Sequence, residues 1–271
     1  MRTTSSSLSG RFASYAITGR LCATQTFGGG VLYVIGGWVL RLVTLLVMLA
    51  IWNVLLQSGA DTGGLTLPQV LTYAALASVL SEQLNIISPA SLAFWEGTLA
   101  SRYTRPMSVI LQLMAETIGR WFPHILFYSI PTMLLVPLLG VDMRPASLRA
   151  GLLFIPGLLM AISLGFSMDL LFAALAVYIK NAGWMALAIR SAFFTLFSGA
   201  LIPFDLLPWG IGGIFRLLPF GSLASAPLTL YTGMADPLPT LLLQLIWNLL
   251  LWPVALTVFR HSEERMVAYG G

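Results

Sequence analysis

The sequence predicts an all-α, polytopic membrane protein with six transmembrane helices, an amphipathic interfacial helix at the N-terminus and a broken outer hairpin between spans five and six. Three observations lead there. Hydrophobic residues make up 58% of the chain and charged residues 9%, against about 25% charged in ordinary soluble domains. About six apolar stretches have the roughly 20-residue length that a helix needs to cross a bilayer, and they run uninterrupted, whereas barrel strands would alternate over about ten residues. A hydrocarbon core offers the backbone no hydrogen-bonding partner, so each stretch must close its own bonds as a helix.

In chain order, residues 1–27 are polar and basic, with Arg2, Arg11 and Arg20 among Ser and Thr and with Phe12, Tyr15, Ile17 and Leu21 interspersed, which suits a helix lying in the interface. A cleavable signal peptide would carry its apolar core near the start, but the first such run begins only after Gly28, Gly29 and Gly30, so the first span is expected to be retained. The spans are expected at 31–57, 68–88, 122–140, 152–179, 182–203 and 238–259. Residues 204–237 are apolar but interrupted by Pro208, Gly210, Gly212, Gly213, Pro219, Gly221, Pro227 and Gly233. Proline removes a backbone donor and clashes with the preceding turn, so this region cannot be one straight helix.

Cytoplasmic loops retain Lys and Arg. With the N-terminus inside, Arg2, Arg11, Arg20, Arg102, Arg105, Lys180, Arg260 and Arg265 all fall on the cytoplasmic side, and both termini are cytoplasmic. The outer loops then hold Asp61, Asp142, Arg144, Arg149, Asp205, Arg216 and Asp236, near charge balance. The formal charge of +4 follows from this topology and from contact with anionic lipid, so it gives no reason to expect nucleic acid. Cys22 is the single cysteine, which leaves neither an internal disulfide nor a zinc site available.

The chain carries no GxxxxGK[ST] phosphate loop, and Lys180 is its one lysine; it is not expected to hydrolyse ATP alone. The two histidines, His124 and His261, lie near a span end and in the C-terminal tail, which speaks against a metal site or a histidine-based catalytic set. Ser198 and Gly199 are similar to the serine of rhomboid-type intramembrane proteases, yet the last span has no histidine to activate a hydroxyl, so a small-residue packing contact is the better reading. Glu263, Glu264 and Arg265 mark the solvated tail. No catalytic, cofactor-binding or metal-binding residue is assigned.

Three regions resemble one family, the type-2 ATP-binding-cassette (ABC-2) exporter permeases. The first is Phe94-Trp95-Glu96-Gly97-Thr98-Leu99 followed by Tyr103-Thr104-Arg105-Pro106, which resembles a cytoplasmic "G-x-L … R/K-P" segment. The second is Leu201-Ile202-Pro203-Phe204-Asp205-Leu206-Leu207-Pro208, then Leu218-Pro219-Phe220, Pro227 and Tyr231-Thr232-Gly233, similar to the family's broken outer hairpin. The third is the layout of an interfacial helix, six spans and both ends inside. The resemblance implies a permease of the bacterial cytoplasmic (inner) membrane that dimerises with itself or with a related permease. A separate ATP-binding-cassette ATPase subunit would drive it and carry the ATP and Mg; this chain would hold no cofactor. ABC importers have an EAA segment with a downstream glycine, which is absent here, so export is favoured.

A motor outside the membrane must push on something rigid, and residues 93–121 supply a candidate. Val109, Ile110, Leu113, Met114, Thr117, Ile118 and Trp121 recur at helical spacing, while Gln112, Glu116 and Arg120 form a polar i, i+4, i+8 stripe. Extended through 122–140, such a helix would be about 50 Å long at 1.5 Å per residue, beyond a hydrocarbon core of about 30 Å. Part of it must lie on or project from the inner surface. Glu96, Arg102 and Arg105 are the expected ATPase contacts; the alternative is an ordinary basic inner loop. The outer region, with proline and glycine breaks and with Trp209, Phe215, Phe220 and Tyr231 between them, suits short helices in the outer leaflet that gate the exit, with Pro208, Pro219, Pro227 and Tyr231 as the gate residues, or merely cap the bundle.

Charge inside a span is costly. Arg41 and Glu82 fall at one depth on antiparallel spans, with Asn85 on the same face as Glu82, and they either line a pathway or neutralise each other. Asp169 and Arg190, 11 residues before and 10 after Lys180, are expected to pair. Gly157, Ala161 and Gly165 precede Asp169 at four-residue spacing, so a neighbour can approach that face closely. Gln244 and Asn248 share a face of the last span and suit interhelical hydrogen bonds. The leading function is therefore the membrane-spanning half of an ATP-driven exporter. The other classes are a polytopic enzyme acting on lipid-linked substrates, for which no acid/base set assembles, and an ion-coupled secondary transporter, for which no inverted repeat is visible.

Overall fold

Helix α1 (Leu8–Gln25) crosses α7 (Val109–His124) at a pair of glycines. A Cβ on Gly19 would meet the Ala115 carbonyl at 3.3 Å, and one on Gly119 would collide with the Gly19 backbone. Ile17 and Leu21, one turn apart, remain 58% exposed on α1, as an interfacial helix requires. The computed structural model describes residues 8–25, 30–58, 63–105, 107–178 and 183–268, and every element in them is helical. Lys180, Pro106, Asp61, Arg2 and residues 26–29 lie outside the described residues, as do the side chains of Trp95, Glu263, Glu264 and Arg265.

The next elements are α2 (Gly30–Gln57), α3 (Leu67–Val79), α4 (Ser81–Leu84), α5 (Ala90–Trp95) and α6 (Leu99–Arg102). On α2 the buried apolar residues are Leu45, Leu49 and Trp52, an i, i+4, i+7 stripe that packs on α3. Most of its other apolar residues, among them Leu40, Val47 and Val54, are exposed as lipid contact demands. The Gln69 side chain accepts the Thr66 backbone N–H at 3.0 Å and ties the start of α3. The second expected span, 68–88, is thus not one helix. It breaks at Leu80 and again from Asn85, whose φ/ψ of −106°/74° leaves the helical region. Pro89 follows, and a residue before proline disfavours the α conformation.

Helix α7 runs on through a π-helical turn (Ile125–Ser129), α8 (Ile130–Leu135) and a 3₁₀ turn (Val136–Leu139). Pro131 cannot donate to Phe127, which accounts for the widened turn just before it. The expected third span therefore shares one helical rod, Val109–Leu139, with the second half of the expected coupling segment. The remaining elements are α9 (Leu148–Tyr178), α10 (Gly183–Phe197), α11 (Ile211–Leu217), α12 (Ser225–Thr232) and α13 (Pro237–Ala268), with 3₁₀ turns at Phe204–Leu206 and Pro208–Gly210. The expected fifth span, 182–203, stops as a helix at Phe197, where Gly199 turns the chain at φ +76°.

Among the described residues four helical stretches are long and apolar enough to cross a membrane: Val34–Gln57, Val109–Leu139, Leu148–Ala176 and Pro237–Ser262. Leu67–Val79 and Trp184–Phe197 are shorter apolar helices. Helix α9 is the centre of the bundle, packed by α13, α12, α5 and α10. It runs parallel to α13, because the bonds from Gln244 to Gly157, Asn248 to Met160 and Trp252 to Ser163 advance together along both helices.

Candidate functional site

At one end of the bundle a small hydrophobic core joins the expected coupling segment to the long helices. Ala90, Ala93 and Phe94 of α5, Leu99 of α6 and Val109 and Leu113 of α7 pack with Leu170 and Ala173 of α9 and Ala255 and Phe259 of α13. Leu99 is fully buried, and the Phe94 and Phe259 rings meet edge-on at 5.1 Å. Gly97, at φ +71°, makes the turn between α5 and α6. Of the three residues expected to touch an ATPase, Glu96 and Arg105 are exposed. Arg102 instead folds back: its Nη1 donates to Glu116 Oε1 at 2.6 Å, and the Gln112 amide donates to the same oxygen at 3.0 Å. The polar stripe on α7 was legible in sequence, but its partner Arg102 was not, because a turn of irregular chain separates them.

The break between α3 and α5 is the second candidate element. Unpaired backbone is tolerated at membrane depth only where protein groups satisfy it; Asp169 does so at Ser88, and an ion pair flanks the break on each side. On one side the Ser88 N–H donates to Asp169 Oδ2 at 3.1 Å and Arg190 Nη1 donates to Asn85 Oδ1 at 2.9 Å. Arg190 Nε and Asp169 Oδ1 themselves lie 3.4 Å apart, with side chains 3% and 1% exposed. On the other side Arg41 Nη2 donates to Glu82 Oε1 at 2.6 Å, with both side chains about two-fifths exposed. Arg41 Nη1 is 3.3 Å from Ser81 Oγ and from His124 Nε2. Sequence spacing gives no sign of His124 in this group, 83 positions from Arg41. The small-residue face of α9 receives side chains: a Cβ on Gly165 would lie 2.8 Å from Ile86 of the break, and one on Gly157 2.7 Å from Leu230 of α12.

Residues 204–237, expected on the outer side, are partly core. Every residue from 221 to 230 is buried. Pro227 is enclosed in the first turn of α12, Tyr231 donates its hydroxyl to the Met143 carbonyl at 2.6 Å, Pro219 is half-buried and Pro208 is exposed. Pro227 and Tyr231 lie one turn apart on α12, whereas Pro208 and Pro219 lie outside that helix. Phe215 and Phe220 join Phe193 and Phe197 of α10 in a ring cluster, with Phe197 to Phe215 at 5.0 Å and Phe193 to Phe220 at 5.6 Å. Trp209, 90% exposed, is the aromatic left outward. Gln244 and Asn248 bond α9 through the Gly157 and Met160 carbonyls at 3.0 and 3.1 Å.

Comparison with known proteins gives one family: the model described as ABC-2 family transporter protein matches residues 42–270. No curated protein matches the chain.

Proposed function

Since the protein belongs to the ABC-2 family of transporters, a membrane permease component of an ABC transporter, we propose that it is the transmembrane subunit of an ABC exporter in the bacterial cytoplasmic membrane. In this reading it crosses the bilayer six times with both termini in the cytoplasm, and the two shorter apolar helices, Leu67–Val79 and Trp184–Phe197, complete spans two and five with the irregular segments that follow them. It works as a dimer, with a second copy or a related permease, and takes its energy from ATP and Mg on a separate ATPase subunit.

The observation that carries the coupling is the inner core around Leu99. A push on the α5–α6 hairpin would reach α9 and α13 through close-packed side chains, which transmit displacement because interiors are dense and weakly compressible. Glu96 and Arg105, exposed on this hairpin, are the proposed ATPase contacts, whereas Arg102 braces the hairpin against Glu116. The outer region, tied to α9 through α12, is the proposed exit gate.

The test is reconstitution of the purified chain in vesicles, with and without an ABC ATPase subunit that co-purifies with it. ATP hydrolysis and ATP-dependent substrate efflux are expected only for the complex. Sustained hydrolysis by the chain alone, or transport driven by an ion gradient without ATP, would overturn the proposal.

A further inference from the structure

Between α2 and α7 lies a pocket of about 280 Å³ lined by Trp38, Arg41, Glu82, Arg120, His124 and Tyr128 among other residues. Its charge does not balance. Arg41 is paired with Glu82. His124 adds nothing, because a guanidinium cannot accept a hydrogen bond, so the His124 Nε2 facing Arg41 at 3.3 Å is the acceptor of a neutral ring. Its Nδ1 lies 3.3 Å from Ser129 Oγ, where the remaining ring proton can be donated. Arg120 has only a long bond from Nε to the Glu116 carbonyl, at 3.5 Å, and no carboxylate lies within ion-pair distance of it among the described residues; Asp169, which also feels its charge, is already paired with Arg190. The Trp38 indole N–H is enclosed and has no acceptor. One uncompensated cation and one orphan donor therefore face a common space.

The depth of this pocket is that of a lipid headgroup. Arg120 lies 19 residues before Leu139 and Trp38 19 before Gln57, each about 28 Å from the outer helix end at 1.5 Å per residue, which is the inner boundary of a hydrocarbon core about 30 Å thick. Arg41 lies 16 residues before Gln57, about 24 Å from the same end, close enough for its side chain to snorkel to that boundary. Exposed apolar side chains on both helices, Val39 and Leu40 on α2 and Phe127 beyond α7, offer acyl chains a surface beside the pocket.

We propose that this pocket binds the phosphate of an anionic phospholipid, held by Arg41 and Arg120 as cations and by the Trp38 indole as a neutral donor. The phosphate supplies the acceptors that Arg120 and Trp38 lack, and Glu82 sets the pocket to one net positive charge, suited to a singly charged headgroup. Assignment to the inner leaflet rests on the orientation proposed above; binding itself does not, so a failed topology and a failed site give different results.

The experiment is native mass spectrometry of the full chain in detergent with equal amounts of phosphatidylglycerol, phosphatidylethanolamine and phosphatidylcholine. Phosphatidylglycerol should be retained in preference to both zwitterionic lipids. Arg120→Gln should weaken its retention about fivefold, the worth of one basic residue at a membrane surface. Trp38→Phe, which keeps the ring and removes the donor, should weaken it about threefold. Arg144→Gln, on an outer loop, should leave it unchanged. Circular dichroism and gel filtration check each variant; if Arg120→Gln does not fold, Trp38→Phe carries the test. Equal retention of the three lipids, or retention unaffected by these pocket variants, overturns the site. Displacement of phosphatidylglycerol by millimolar inorganic phosphate would assign the pocket to a soluble anion and overturn the lipid.

Discussion

Asp169 and Arg190 meet 3.4 Å apart on neighbouring helices, and each also holds the broken chain between α3 and α5 through Ser88 and Asn85. Removing either partner leaves a buried charge uncompensated, at a cost of several kcal/mol. Asp169→Ala and Arg190→Ala should therefore both lose most membrane expression. Exchanging the two charges should rescue little, because an arginine at 169 cannot accept the Ser88 N–H. Expression and thermal aggregation of the three variants measure this; full rescue by the exchange would reduce the contact to a simple ion pair.

The pairing of Asp169 with Arg190 is readable from their similar distances, 11 and 10 residues, to Lys180 in the sequence. What that spacing could not convey was the break itself. Residues 68–88 read as one expected span although Glu82, Gln83 and Asn85 fall in its second half; the helix breaks where Asn85 leaves helical φ/ψ, and partners on helices distant in sequence, Asp169 and Arg190, hold the chain there. Likewise the long helices were legible because an apolar run of span length has one stable conformation in lipid. The burial of α12 was not legible, since its Pro and Gly neighbours signal only that the chain turns. The placement of Phe215 and Phe220 shows the same limit: an aromatic residue suits both an interface and a core.

Glu96 and Arg105 are exposed on and just after the proposed coupling hairpin while Arg102 is bound to Glu116, and the three should respond differently to substitution. Cysteines at 96 and 105 are expected to cross-link to the ATPase subunit, whereas one at 102 should cross-link poorly. Arg102→Ala should lower stability by about 3 kcal/mol, the loss from stranding one member of a mostly buried pair. Glu96→Ala and Arg105→Ala should leave stability within about 0.5 kcal/mol, as exposed positions do. Labelling of 96 and 105 from the outside of intact cells would reverse the topology.

The Gly19–Gly119 crossing leaves no room for a side chain. Gly119→Val should push α1 away from α7, and Cys22 reports it. Burial against α7, with Glu116 next in effect, holds the Cys22 thiol above its ordinary range and keeps its thiolate fraction low at neutral pH. Detaching α1 returns the thiol toward its ordinary value, so the thiolate fraction rises and maleimide labelling at pH 7 should accelerate. Unchanged labelling with intact expression would mean that α1 packs by other contacts.

Gln244 joins three elements: its amide donates to the Gly157 carbonyl of α9 at 3.0 Å and to the Ser222 carbonyl ahead of α12 at 2.9 Å. Both acceptors are buried, and interhelical bonds of this kind in membranes contribute about 0.6 to 2 kcal/mol. Gln244→Leu is similar in size and removes both, leaving the Ser222 carbonyl without this donor and the Gly157 carbonyl with only its bond inside α9. The bond to Ser222 bears on the outer region and the bond to Gly157 on the α9–α13 seam, so the variant should loosen the proposed gate as well as lower stability. The expected result is a fall in thermal stability of a few degrees, with faster protease cleavage at the exposed tip around Trp209. Asn248→Leu, which loses its bond to Met160 farther from the outer region, should lower stability without speeding that cleavage. If both variants speed cleavage at the tip equally, Gln244 has no special hold on the outer region.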